Sequence, residues 1–297
     1  MHFSVSGVDV HPLVPPLISL VVSFFTSMGG VSGAFMLLPF QVSILGYTSP
    51  SVSATNQVFN VVATPSGVCR YLREGRMVWP LMWTIVLGTL PGVFFGAWIR
   101  IEYLPDPKNF KFFAGLVLTY IGVRLLIDAI RKKARGSGGE TMGAAGTKVL
   151  SSRFSVRQAS FAFGGGSFCF SPASVLVLCF FVGILGGIYG IGGGALITPF
   201  LVTFFGLPVY TVAGPALMGT FATSVAGVLF YQFLSRFYNG MSVAPDWLLG
   251  LLFGLGGFVG IYLGARCQKY VRARTIKLIL CVCVLFVAAR YIVGFFL

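Results

Sequence analysis

Two runs of small residues interrupt apolar stretches at places where a new helix could begin, GGVSG at 29–33 and GIGGG at 190–194. A helix starting there presents unpaired N–H groups and the positive end of its dipole, and glycine lets a ligand approach that backbone closely. The chemistry on offer is capture of an anion. Gly190, Gly192, Gly193 and Gly194 make the fuller cluster, and Gly30, Ser32 and Gly33 stand at matching places in the other. The competing reading is tight helix packing at a kink, and duplication of the cluster weighs toward binding.

Just after each cluster the chain carries polar side chains inside apolar surroundings, SATNQVFN at 53–60 and TFATS at 220–224. Asn56, Gln57, Asn60, Thr220 and Thr223 would hydrogen-bond an oxyanion. Helix-to-helix hydrogen bonds, worth about 0.6 kcal/mol on average in membranes, are the alternative. That alternative leads for a single threonine, and binding leads for Asn56, Gln57 and Asn60 together. Arg124 and Arg290 lie near the ends of the last apolar span of each half. Both are placed to snorkel, with direct attraction of an anion as the second reading. Tyr189, Met218 and the many phenylalanines read as lining or packing.

The elements that hold these residues are membrane elements. The chain is 56% hydrophobic and 9% charged with mean hydropathy +0.90, against about a quarter charged in soluble domains. Apolar runs near the roughly 20 residues needed to cross a bilayer fall at 52–69, 79–99, 112–130, 210–232, 247–265 and 277–297. They are continuous and not alternating, which excludes a β-barrel. The glycine-broken runs, 13–46 and 171–206, are re-entrant candidates. The opening MHFSVSGVDVHP has no Lys or Arg and does not read as a signal peptide. The net charge of +14 sits between the apolar runs, so it reports topology and implies no nucleic-acid partner. Six cysteines show no CxxC or CxxH spacing and read as buried apolar thiols, without metal or cofactor.

An internal repeat organises the runs. At an offset of 160, Gly30, Gly33, Pro39, Phe40, Val42, Gly46 and Val52 meet Gly190, Gly193, Pro199, Phe200, Val202, Gly206 and Val212. At 168, Trp79, Leu81, Gly88, Gly92, Gly96 and Ala97 meet Trp247, Leu249, Gly256, Gly260, Gly264 and Ala265; at 166, Lys111 and Arg124 meet Lys277 and Arg290. Glycine every fourth residue marks a close helix-packing face. The chain therefore divides into a first membrane repeat (1–130), a basic linker with a short β-hairpin (131–170) and a second membrane repeat (171–297). Lys and Arg cluster at 70–76, 131–157 and 266–277, which the positive-inside rule makes cytoplasmic. That leaves 100–111, 235–246 and the N-terminus outside. The expected fold is an all-α polytopic inner-membrane protein of two inverted homologous repeats, each a glycine-broken re-entrant hairpin plus three transmembrane helices.

The run GIYGIGGGALITPFLVTFFGLPVYTVAGPALMGT at 187–220 resembles the repeated motif of the sulfite exporter TauE/SafE family. The first copy, MGGVSGAFMLLPFQVSILGYTSPSVSATNQ at 28–57, departs where Ser32 and Ala34 replace two glycines. The resemblance covers the chain outside 131–170. It implies a secondary transporter or exporter of sulfite, organosulfonates or related anions, with the bilayer and a small anionic substrate as partners; oligomeric state is not implied. A passive anion channel is the alternative. An intramembrane enzyme lacks its groups, since both histidines, His2 and His11, are N-terminal and no Glu lies in an apolar run. With Asp128 the one acid inside an apolar run, electrogenic export or facilitated exchange is the expected coupling, the potential supplying about 2.3 kcal/mol per charge per 100 mV.

Overall fold

The computed structural model describes residues 1–28, 32–75, 77–134, 151–153, 158–163, 166–207, 209–238, 240–267 and 273–296. A two-stranded hairpin, β1 (His2–Phe3) and β2 (Val8–Asp9), precedes helices α1 (Val14–Met28), α2 (Ala34–Ser43), α3 (Ser51–Ala63), α4 (Pro65–Arg73), α5 (Trp79–Glu102) and α6 (Pro107–Ala134). A small antiparallel sheet follows, β3 (Ser151–Arg153), β4 (Ala159–Phe163) and β5 (Gly166–Phe170), in that spatial order. Helices α7 (Pro172–Tyr189), α8 (Gly193–Phe204), α9 (Val209–Leu234), α10 (Trp247–Cys267) and α11 (Ala273–Phe296) complete the chain. The protein is mostly helical. Among the described residues, α5, α7, α9 and α10 are long and apolar enough to cross a membrane.

The helices expose large apolar side chains and bury polar ones among the apolar core. On α1, Leu17, Val21 and Phe25 are 58%, 50% and 44% exposed, while Ser19, Ser23 and Thr26 are fully buried. A soluble helix would reverse that pattern, whereas in lipid the outer face meets hydrocarbon and polar groups seek the interior. Small residues then let backbones touch. A side chain at Gly88 would meet the Cβ of Cys179 at 2.6 Å, and one at Gly92 or Gly96 would run into the carbonyls of Phe180 or Ile184, so α5 lies directly on α7. Gly256, Gly260 and Gly264 do the same for α10 against Pro16, Leu20 and Phe24 of α1, with Ser19, Ser23 and Ser27 filling the seam. Both glycine ladders therefore serve the same purpose, close packing on the first helix of the other half's hairpin.

The largest helix contacts come in matching pairs. α1 packs on α10 and α7 on α5; α3 packs on α10 and α9 on α5; α6 pairs with α11, and α3 with α9. Gly46 and Gly206 end α2 and α8 in the same left-handed turn, φ +67° and +62°, with open space around both. There the glycine is needed for its backbone angle.

The structure differs from the sequence expectation at four places. The run at 52–69 is not one helix: Pro65 has no N–H to continue the ladder, and α3 yields to α4 at Thr64, whose hydroxyl bonds the Asn60 carbonyl at 2.7 Å. Residues 1–10 form a hairpin whose Phe3 and Val8 are buried, too short a pattern to read from sequence. Only Cys179 and Cys281 are buried, Cys267 is half-buried, and Cys69, Cys169 and Cys283 are exposed. Arg100, counted above among loop charges, is fully buried.

One end of the molecule gathers the N-terminus with three turns. Ser6 donates to Asp246 Oδ2 at 2.8 Å, Ser242 to the Val5 carbonyl at 2.8 Å, Arg100 to the Thr48 carbonyl at 3.1 Å, and Tyr238 to Glu102 at 2.9 Å. The Glu102 bond raises the pKa of the exposed Tyr238 phenol.

The glycine ladder carries a direct test. Gly92→Leu is expected to lower the thermal stability of the purified protein in detergent by more than the about 1–3 kcal/mol typical of overpacking, because the atoms in the way are backbone. Gly240→Ala, at a loop glycine with nothing nearby, is expected to leave it unchanged.

Candidate functional site

The break between α7 and α8 leaves backbone groups that must find partners. Gly190 and Gly192 turn the chain with φ +78° and +73°. Both Gly190 and Ile191 return their N–H groups to the Gly186 carbonyl, which strips the Gly187 carbonyl of its helical partner. The Tyr231 hydroxyl of α9 fills that vacancy at 3.0 Å. Ser53 of α3 donates to the Ile188 carbonyl at 2.9 Å, and Asn56 Nδ2 to the Gly190 carbonyl at 3.1 Å. At the start of α8 the Gly193 N–H donates to Thr223 Oγ1 at 3.2 Å, and that hydroxyl donates to the Gly219 carbonyl at 2.6 Å. Protein hydroxyls and amides thus supply what a broken helix needs inside a bilayer.

The α1–α2 break is tied to the same group. Pro39 has no N–H to offer the Phe35 carbonyl, and the buried Tyr189 hydroxyl takes that carbonyl at 3.0 Å. Asn56 Nδ2 also donates to the Ala34 carbonyl at 3.1 Å, while Gln41 Nε2 reaches Asn56 Oδ1 at 3.5 Å. One carboxamide on α3 therefore links both hairpins. Gly33 packs on α1, where a Cβ would meet Ser23 Oγ at 2.7 Å, and Ser32 Oγ accepts from the Ala34 N–H at 3.4 Å. Ser32 does not share the positive φ of Gly192, since no described non-glycine residue has one. The two breaks differ in backbone as well as in sequence. Gly30 lies outside the described residues.

The α8 glycines are crowded. A side chain at Gly193 would meet Thr89 Cβ at 2.6 Å, at Gly192 Ser224 Oγ at 2.8 Å, and at Gly194 the Ala216 carbonyl and the Thr220 N–H. Substituting them reports on packing first. Thr220 is engaged with the Ala216 carbonyl at 3.1 Å.

What lacks a partner is a set of side chains. Gln57 and Asn60, a turn apart on α3, are fully buried with both polar atoms of each carboxamide unpaired. Gln57 packs against Gly227 of α9, and Ser224, one turn earlier on that helix, is buried with its hydroxyl unpaired. Buried polar groups of this kind are rare without water or a ligand to satisfy them. Gln57 and Asn60 lie on α3 and Ser224 on α9, two helices in contact, and Ser224 stands beside Gly192 at the α8 start. Ser224 was not among the sequence candidates because a lone serine in TFATS carries no distinguishing signal.

The arginines stand elsewhere. Arg124 is half-buried on α6, its Nε donating to Tyr120 Oη at 3.2 Å, and Arg290 is exposed on α11. Asp246, overlooked in the sequence, is buried at the start of α10, where it caps the Leu249 N–H at 3.1 Å. Tyr47 in the α2–α3 turn is held by Ser51 and Thr55 at 2.8 and 2.9 Å, and burial pushes its pKa up. Among the described residues no group of His, Cys, Asp and Glu is placed to hold a metal.

Apolar outer faces and backbone-close helix seams fit a multi-pass membrane protein. The TauE/SafE sulfite exporter profile matches residues 16–291, and the chain belongs to that family. It is similar to the Probable membrane transporter protein YunE of Bacillus subtilis (strain 168), 21% identical over 287 residues, 93% of this chain and 95% of that one. A Probable membrane transporter protein of Xylella fastidiosa (strain Temecula1) is 24% identical over 247 residues, 82% of this chain and 80% of its own. No solved structure matches the chain significantly.

The bonding scheme predicts that Tyr189→Phe, which orphans the Phe35 carbonyl, costs about 1–3 kcal/mol of stability. Asn56→Leu, which orphans two carbonyls, is expected to cost more. Thermal unfolding in one detergent ranks them, and equal stability of Asn56→Leu and wild type would refute the linking role of Asn56.

Proposed function

We propose that the chain is a secondary transporter of small sulfur-containing oxyanions, sulfite or organosulfonates, in the inner membrane. The observation that carries this is the trio Gln57, Asn60 and Ser224, sealed in the interior with unpaired donors. Carboxamide N–H and hydroxyl groups bind an oxyanion without a fixed charge that would trap it, so release stays possible. The family's own description as sulfite exporters supports the substrate class.

The Thr223 oxygen sits on the Gly193 N–H, where an anion oxygen would bind, and turning the Thr223 side chain about its Cα–Cβ bond frees the α8 start. Gly30, Ser32 and Gly33 supply the weaker matching site. The reciprocal helix contacts are those expected of two inverted repeats, with the N-terminus outside and the basic linker in the cytoplasm. Movement of the anion follows the membrane potential.

Labelled sulfite and a small sulfonate, offered to proteoliposomes under an imposed potential, test the reading. Saturable flux is expected for wild type. Gln57→Met, close in shape, is expected to abolish flux while thermal stability holds or rises, because an unpaired buried polar group is being replaced by an apolar one. Unchanged transport in Gln57→Met would sink the site, and non-saturable flux would make the protein a channel.

A further inference from the structure

Arg100, in the last turn of α5, is the largest fully buried side chain among the described residues. Its Nη2 donates to the Thr48 carbonyl at 3.1 Å and its Nη1 to the Leu104 carbonyl, while the Phe110 ring centre lies 3.7 Å from the guanidinium carbon. Its Nε–H is buried without a partner. Among the described residues the ion pairs are His2–Asp9 and Arg70–Glu74, and neither involves Arg100. Glu102, two residues on, is exposed and receives the Tyr238 hydroxyl.

Two carbonyls and a ring face are thin solvation for a full charge removed from water. The C-terminal end of a helix favours a cation, which explains a charge near this place but not its complete burial with a donor left over. Its surroundings supply the missing reason. Thr48 leads into α3, the helix of Gln57 and Asn60. Ala97 and Ile101, flanking Arg100 on α5, pack with Tyr231, the residue that closes the Gly187 carbonyl at the broken helix. The guanidinium thus lies at the turn that leads into α3, within one turn of the α5 residues that pack on Tyr231, at the end of the molecule that carries residues 1–10. Arg266, in the last turn of α10, is exposed, so the burial of this charge has no twin in the second half.

We propose that Arg100 is a binding group for the transported anion, its charge and free Nε–H holding the anion before it reaches Gln57, Asn60 and Ser224. This rests on the transport reading above. A single fixed charge makes the path selective for anions and makes its two ends unequal.

The test is proteoliposome transport of sulfite and methanesulfonate by wild type, Arg100→Lys, Arg100→Gln and Gln57→Met, with thermal unfolding of each. Arg100→Gln is expected to raise KM on the order of tenfold or more with Vmax within about twofold, and to hurt doubly charged sulfite more than the singly charged sulfonate. Arg100→Lys keeps the charge and should stay nearer the wild-type KM. A wild-type KM in Arg100→Gln overturns the proposal. So does parallel loss of stability and flux in both Arg100 variants, which would make Arg100 a clamp between α5 and the α2–α3 turn. If wild type moves neither anion, the transport reading falls and takes this with it; if Gln57→Met alone loses transport, only the role of Arg100 falls.

Discussion

A peptide group in apolar surroundings has no water to turn to, and this protein interrupts two of its apolar runs. Everything around the breaks follows from pairing the groups so released. α3 supplies Ser53 and Asn56, α9 supplies Thr223 and Tyr231, and Tyr189 reaches from one hairpin to the other. Asn56 matters most, since its one amide nitrogen serves a carbonyl from each hairpin. With about 1–3 kcal/mol at stake for each orphaned carbonyl, these contacts rank among the strongest constraints on how the two halves meet.

The same interior treats its polar side chains in two ways. Asn56, Thr223 and Tyr231 are spent on the backbone, while Gln57, Asn60 and Ser224 are left unspent. The first three have partners within the chain and the other three have none, a difference among residues that look alike in sequence.

Much of the fold was legible. Hydropathy alone picks out the runs that become α5, α9 and α10, and glycine every fourth residue marks the faces on which α5 and α10 pack. The polar stripe of α3 was visible as Asn56, Gln57 and Asn60. Pairing was not legible, because periodicity states which face is buried without naming the neighbour: nothing in Gly92 points to Phe180, nor in Pro39 to Tyr189. Arg100 was misread because a charge at the end of an apolar run looks like a loop charge until the helix is seen to continue through it. The β1–β2 hairpin escaped because two residues per strand leave no period to detect.

The two glycine seams also set a timetable for assembly. α7 emerges from the ribosome when its partner α5 is already made, so that seam forms as synthesis proceeds. α1 must wait for α10, about 220 residues later, which at roughly 5–20 residues per second is about 10–40 s. Through that interval the serine face of α1 stands in the membrane without its glycine partner. α1 is made early and locked in place late, and until then its polar edge is open to membrane insertases and to quality-control proteases.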